Sequence, residues 1–428
     1  MKRSLIIAAV FALCCLGGCG EKVGRVSESS EDTIAAMATS PIETEPPTEA
    51  VTEAPTAKIG LPEEAYFSIK DSVGVYEEIT LVELLGETNV HVENGLDLID
   101  TSKTGQCTAE ITCTYEDELY VHEVSYNVAD TTKPTILNSG GSAYVQRGTA
   151  FDLSNCIGYA DNYDSTPQLT YTGNVDTSVS GTYPITATVT DSSGNSESWS
   201  LNINVVDKLP QAVDDNARLS FDTFTQRYAG DNVRFGIDVS KWQGNIDFEA
   251  VKNAGCSFVI MRMGHYYDDE VMDEYYLSNM EKAKAAGLDV GIYIYTTANT
   301  EEEVKENAKW ISETLDGQEL DFPVVFDWED FTNFQQYEMS IHDLNSLFEL
   351  FADEMESYGY SAMLYSSKNF LNNFWYDHSD YPIWLAHYTN DTDYTGKYDM
   401  WQMSCYGKID GIAGDVDLNI LYTDGDLE

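Results

Sequence analysis

Hydrophobic positions divide this chain into four kinds of stretch. Residues 5–16 form one short apolar run, and residues 20–60 show no apolar period. Between about 61 and 207, apolar and polar residues alternate with period two, the pattern of half-buried strands. From Phe235 onward, short apolar runs rich in β-branched residues alternate with stretches of helical period, the signature of an α/β fold with a parallel sheet. Eight runs read as buried strands, beginning near Phe235, Phe258, Val290, Val324, Ala362, Ile383, Met400 and Val416. Thr300 with Glu303 reads as a capping box that opens a helix, with Val304, Ala308, Ile311 and Leu315 on its inner face. Ser340 opens another, with Ile341, Leu344, Phe348, Phe351 and Met355 turned inward. After about residue 366 no obvious helices separate the strands, so a barrel with an incomplete outer ring of helices is expected.

The two β stretches form a weak repeat. Ile99-Asp100-Thr101-Ser102-Lys103-Thr104-Gly105 is matched about 76 residues later by Val175-Asp176-Thr177-Ser178-Val179-Ser180-Gly181, each followed by two alternating strands. Two small β-sandwich modules are predicted, over 61–130 and 131–208, with 209–233 a linker and 234–424 the barrel. The second module, from Asp130-Thr131-Thr132-Lys133-Pro134 through Asp191-Ser192-Ser193-Gly194-Asn195, resembles the bacterial immunoglobulin-like modules of surface proteins. Spacing is the role expected of both.

Charge narrows the partners. With 73 acidic against 23 basic residues, the formal net charge is −50, which argues against nucleic acid or anionic lipid as a charge-driven partner. Asp161-Asn162-Tyr163-Asp164 is the nearest approach to a calcium loop, but no complete ligand spacing is present, and no metal or cofactor is expected. Cys107, Cys113, Cys156, Cys256 and Cys405 are scattered and odd in number, so free, buried thiols are expected.

Met1-Lys2-Arg3 followed by the apolar run reads as a secretory signal over 1–19. Its end, Leu16-Gly17-Gly18-Cys19, resembles a bacterial lipobox, which implies lipidation at Cys19 and a tether on the outer face of the cytoplasmic membrane. The Glu-, Thr- and Pro-rich stretch 20–60 cannot bury enough surface to fold and reads as an extended stalk.

Chemistry concentrates at the C-terminal ends of the predicted strands, where the loops of an α/β barrel converge. Phe322-Pro323-Val324-Val325-Phe326-Asp327-Trp328-Glu329 ends in two carboxylates at i and i+2, on one side of a strand. Asp238, Arg262, Tyr293, Tyr295, Tyr365, Trp384, Trp401 and Gln402 lie near other strand ends, and Asp415 and Asp417 on the last strand. Acids ringed by aromatics suit sugar cleavage, since rings stack on pyranoses and a carboxyl pair handles an oxocarbenium-like transition state.

Residues 234–422 resemble glycoside hydrolase family 25, the lysozyme-type muramidases. The resemblance rests on Gly236-Ile237-Asp238-Val239-Ser240-Lys241-Trp242-Gln243-Gly244, Asp327-Trp328-Glu329, Trp384-Leu385-Ala386, Trp401-Gln402 and Val416-Asp417-Leu418-Asn419. It implies cleavage of the β-1,4 bond between N-acetylmuramic acid and N-acetylglucosamine in peptidoglycan, by a monomer. It makes Glu329 the general acid and Asp327 the group that stabilises positive charge or orients the acetamido group. Asp238 and Asp417 complete the acidic floor, and Tyr295, Trp384 and Trp401 are candidate sugar platforms. Tyr293-Ile294-Tyr295 departs from the family pattern, where His is often expected in the middle. Two rivals are an inactive wall-binding or adhesive lipoprotein and a hydrolase of chitin-like polymers. Same-face strand neighbours start about 6.6 Å apart at the backbone, which leaves retaining, inverting and substrate-assisted outcomes open.

Overall fold

A computed structural model describes residues 57–137, 141–210 and 216–423. The expected signal segment, Cys19 and the stalk up to residue 56 lie outside them. The stalk ends earlier than expected, because Lys58–Ile59 already pairs in parallel with the strand Glu118–Ala129.

The first β module is built on a long hairpin, Gly105–Tyr115 against Glu118–Ala129, in register from Gly105↔Val128 to Tyr115↔Glu118. Its two-residue turn, Glu116-Asp117, has positive φ at both positions, the conformation that matches strand twist. Ile111, Cys113, Val124, Tyr126 and Val128 fill its core, and a short helix, Leu81–Leu84, packs there behind a Thr80–Glu83 capping box.

The second module repeats the plan. Gly181–Thr190 pairs with Ser196–Val206, and Gln168–Thr172 and Ser142–Gln146 flank them in a four-stranded sheet. A two-stranded sheet, Thr135–Leu137 with Gly158–Ala160, completes the module. The hairpins start at Gly105 and Gly181, the offset read from the repeat. Asp161 and Asp164, weighed as calcium ligands, hold turns: Asp161 Oδ1 accepts from the amides of Tyr163 and Asp164, and Asp164 from those of Thr166 and Ser192. Asp161 also lies with Asp130 and Asp191 in a buried group of three carboxylates whose oxygens come within 4.8 Å of one another, an arrangement that could hold a cation. Cys107, Cys113, Cys156 and Cys256 are free thiols, the last three of them buried.

The C-terminal domain is a closed eight-stranded barrel: β1 (Val233–Val239), β2 (Phe258–Tyr266), β3 (Asp289–Thr296), β4 (Val324–Asp327), β5 (Ala362–Ser367), β6 (Ile383–Ala386), β7 (Met400–Lys408) and β8 (Val416–Tyr422). β1 through β7 run parallel, and β8 is antiparallel to both β7 and β1. The short helix-free connection between β7 and β8 permits only a hairpin, since a parallel return needs a longer crossover. Five helices lie outside: α1 (Phe248–Asn253), α2 (Tyr276–Ala285), α3 (Glu301–Leu315), α4 (Ile341–Ser357) and α5 (Lys368–Asn373). The anticipated capping box Thr300–Glu303 is present, and the helix expected to open at Ser340 does so behind a second box, Ser340–Asp343.

Two apolar layers hold the barrel. Phe258, Ile260, Val325, Met363, Met400 and Leu421 plug its interior. A larger layer, including Ile292, Ile294, Phe326, Phe348 and Phe351, joins strands to helices. Gly236 is required by the plug, because a Cβ there would lie 2.4 Å from the Phe258 ring.

The expected linker 209–233 is corrected in its described part. Leu219–Ser220 pairs in parallel with β7, and Ser220 caps a helix, Phe221–Arg227, that buries Phe221 and Phe224. Apolar residues at Phe221, Phe224 and Tyr228 give one helical face, so burial outweighs freedom and the stretch belongs to the barrel.

Candidate active site

The parallel register sets one row of side chains across the mouth. Tyr295 on β3 pairs with Asp327 on β4, Asp327 with Tyr365 on β5, and Tyr365 with Trp384 on β6. β4 ends at Asp327, and the chain continues through Trp328 to Glu329 with its side chains still alternating. Trp328 is fully buried on the outer side, where its indole N–H donates to Ala298 O at 3.1 Å and Phe331, Phe334 and Tyr337 surround it. That cage fixes the residue between the two acids and thereby turns both toward the mouth.

Asp327 is buried, and its Oδ1 is enclosed without a hydrogen bond. Burial first, then the charges of Glu329 and Asp238, hold its carboxyl well above the usual range, against the opposing pull of Arg262. It also shares a hydrogen bond with half-buried Glu329. Burial and a second acid this close favour the proton-bound form of Asp327.

β8 brings a second pair together. Running antiparallel, it presents its beginning to the mouth, and Asp417 faces Asp238 across the β1–β8 ladder. Asp238 Oδ2 accepts from Gln402 Nε2 at 2.9 Å and Asn419 Nδ2 at 2.8 Å. Gln402 Oε1 accepts in turn from the hydroxyls of Tyr365 and Tyr388, and Asn419 Oδ1 from the Trp384 indole. Burial pushes the Asp238 carboxyl up to about 6, against these donors. Asp415 goes elsewhere: Arg218 and Lys408 pair with it at 2.7 and 2.9 Å and hold its carboxyl below the usual range, the hydrogen bond from Arg218 contributing most.

Arg262 is pinned by Asp273, which accepts from its Nη2 at 2.7 Å and Nε at 3.0 Å, as well as from the amide of Lys241. This ties the ends of β1 and β2 together and leaves a positive charge acting on Asp327.

The aromatic expectations need correction. Trp401 faces away from the mouth, because its neighbours Met400 and Gln402 face inward; its indole donates to His387 O and its ring packs on Tyr228. Trp384 is inside the barrel but buried at 2% exposure, so it supports Asn419 rather than offering an open face. Tyr293, half-buried beside Trp384, belongs to the same inner layer. Rings that are open lie on the loops: Trp242 after β1, Tyr267 after β2 and Tyr388 after β6, with half-buried Tyr295 in contact with Tyr267. Ile294, at the position where His was expected, points into the outer layer, so that departure from the pattern does not remove a group from the mouth. Reasoning from sequence missed Asp273, Asn419 and Tyr267 as site residues, and for Tyr267 the available signal was a tyrosine immediately beyond a strand end.

Fold and site together define a barrel protein with a carboxylate centre at the C-terminal ends of its parallel strands. The model for "Glycosyl hydrolases family 25" matches residues 237–412, and that for "Bacterial surface protein, Ig-like domain" matches 136–205. An uncharacterized protein of Escherichia coli O157:H7, YegX, is 30% identical over 193 residues, covering 43% of this chain and 68% of that protein. By its C-terminal domain, the chain belongs to glycosyl hydrolases family 25. The autolytic lysozyme of Clostridium acetobutylicum is 31% identical over 188 residues, 43% of this chain, and the match spans about half, 54%, of the lysozyme's length. A solved bacterial lysozyme from Streptomyces coelicolor is 22% identical, covers 45% of this chain and 93% of its own, and superposes with a TM-score of 0.37.

Proposed function

We propose that the protein is a muramidase that hydrolyses the β-1,4 bond between N-acetylmuramic acid and N-acetylglucosamine in peptidoglycan. The observation that carries this reading is the Asp327–Glu329 pair, two hydrogen-bonded carboxyls at the mouth of a family 25 barrel. Glu329, the more accessible member, donates its proton to the glycosidic oxygen as the bond breaks. Asp327, buried beside it, stabilises the oxocarbenium-like centre or orients the acetamido group. Asp238, fixed by Gln402 and Asn419, and Asp417 form the floor that sets the field around the pair. Trp242, Tyr267 and Tyr388 offer open ring faces on which sugars stack.

In Glu329→Gln, release of reducing ends from purified peptidoglycan falls by about 10²–10⁴-fold, the range for loss of a general acid. Mass spectrometry of wild-type products finds muramic acid at the reducing end. A variant that digests at the wild-type rate overturns the assignment. The lipobox-like Leu16-Gly17-Gly18-Cys19 supports display of the enzyme on the outer face of the membrane, and Cys19→Ser then moves it from the membrane fraction to the medium.

A further inference from the structure

We infer that the immunoglobulin-like module is a working part of the catalytic domain, holding in place the segment that follows the acid pair. The contact begins two residues after Glu329. Phe331–Gln336 forms a short 3₁₀ turn whose first amide, that of Phe331, donates back to Glu329 O at 2.8 Å. Phe331 and Phe334 pack against Trp328, so this turn is one wall of the cage that aims both acids.

The other side of the turn is covered by the module. Gln335 Nε2 donates to Tyr159 O at 2.9 Å. Gly158 runs so close that a Cβ there would lie 3.3 Å from Phe331 O. Leu137 and Ala160, on the module's two-stranded sheet, are buried in the same apolar core as Phe331, Phe334 and Trp328. Beyond the turn, the first amides of α4 have no partner within their own helix. Two of them donate to the module instead: Ile341 N to Asp161 O at 2.7 Å and His342 N to Asn162 O at 3.3 Å. The stretch from Glu329 to α4 is therefore clamped at both ends by the module. Strand, turn and helix start share one core with it, and a rigid spacer would need none of these contacts. Tyr159 and Ala160, with the carbonyls of Asp161 and Asn162, are positioning elements; they act on Glu329 through the turn and the Trp328 cage.

This inference rests on the assignment of Asp327 and Glu329 as the reacting pair. It is tested in the full-length chain with Ala160→Arg, which wedges the contact open, and Gln335→Ala, which removes one hydrogen bond from it. Hydrogen exchange at residues 331–342 is expected to accelerate in both. In Ala160→Arg, turnover on peptidoglycan falls about 10–100-fold, the cost of sub-ångström to ångström misplacement of a reacting group, with KM changed less than about threefold. Its pH–rate profile also shifts, because the hydrogen bond between Asp327 and Glu329 no longer has the same geometry, and that response distinguishes positioning from a general loss of stability. Faster exchange at 331–342 with turnover and pH profile unchanged overturns the inference. If Ala160→Arg does not fold, Gln335→Ala decides by the same readouts with a smaller change. If the wild-type chain cleaves no peptidoglycan, the functional assignment has failed by itself. Carbon-13 titration of the Asp327 and Glu329 carboxyls then decides the positioning, a shifted titration in Ala160→Arg supporting it and an unchanged one overturning it.

Discussion

Two of the stretches in this chain that carry acids at i and i+2 end in opposite situations. Asp327 and Glu329 converge at the mouth, buried or half-buried, with one oxygen of Asp327 lacking a hydrogen bond. Asp415 and Asp417 part company. Asp415 precedes β8 and is held by Arg218 and Lys408, while Asp417 sits in β8 opposite Asp238. Spacing is identical, so spacing does not decide the outcome. What decides is whether a cation is within reach and whether the ladder holds the backbone. Arg218 comes from a segment wrapped on β7, and it takes the one acid that lies outside the strand. Arg262, whose charge acts on Asp327, is already committed to Asp273. The acids at the mouth are thus kept in conflict, which stability alone does not favour and proton transfer requires.

The sharpest way to break this comparison is to remove the conflict. Asp327→Asn takes away the buried ionisable group on which the conflict rests. Turnover on peptidoglycan should fall by about 10²–10³-fold, the usual cost of removing one electrostatic stabiliser from a transition state. Thermal stability at pH 7 should rise, because folding no longer has to put a proton on Asp327 that the unfolded chain has released. A variant that loses activity and stability together would mean that Asp327 holds the fold rather than serving the chemistry.

Asp238 gives a second, smaller effect with a definite sign. Its folded value of about 6 lies above the value near 3.9 of an unfolded aspartate. Between those values the folded state binds the proton and the unfolded state releases it, so this residue lowers stability as pH rises from about 4 to 6. Above pH 6 the penalty is complete, on the order of 3 kcal/mol. Asp238→Asn can accept both Gln402 and Asn419 on its single carbonyl oxygen, so it should unfold at higher temperature than wild type at pH 7 and match it near pH 4. Melting curves across that range check the prediction, and parallel curves for the two proteins would refute it.

Much of this was legible in the sequence, for local reasons. Strand positions, the helix starts at Thr300 and Ser340, and the acids at strand ends follow from apolar runs and cap residues, which are short-range signals. The direction of β8 was not legible, because an apolar run looks the same read either way. Nor was the facing of Trp401 and Trp384. A strand buried on both sides loses the polar alternation that reports which face is which. Asp273 went unseen because it reaches Arg262 across a β-hairpin, between residues 11 apart with no periodic relation. The helix Phe221–Arg227 is different: Ser220, Phe221, Phe224 and Tyr228 carried a readable cap and face, and the flanking polar residues obscured them.

The mildest test returns to the acid that found partners. Arg218, Lys408 and Asp415 are each about a third exposed or more, so solvent screens their pairs, and exposed pairs contribute about 0–1 kcal/mol. Asp415→Asn should therefore lower stability by less than about 1 kcal/mol in chemical denaturation. The pair's carboxyl is held low, so this small contribution is present above the unfolded aspartate value near 3.9 and lost as pH falls below it. Activity should be retained, since the contact from Asp415 to the β1 loop runs through its backbone carbonyl, which accepts from Gln243 Nε2 at 3.1 Å and survives the substitution. A loss of turnover beyond tenfold would place Asp415 with Asp417 at the mouth and erase the contrast between the two i, i+2 pairs.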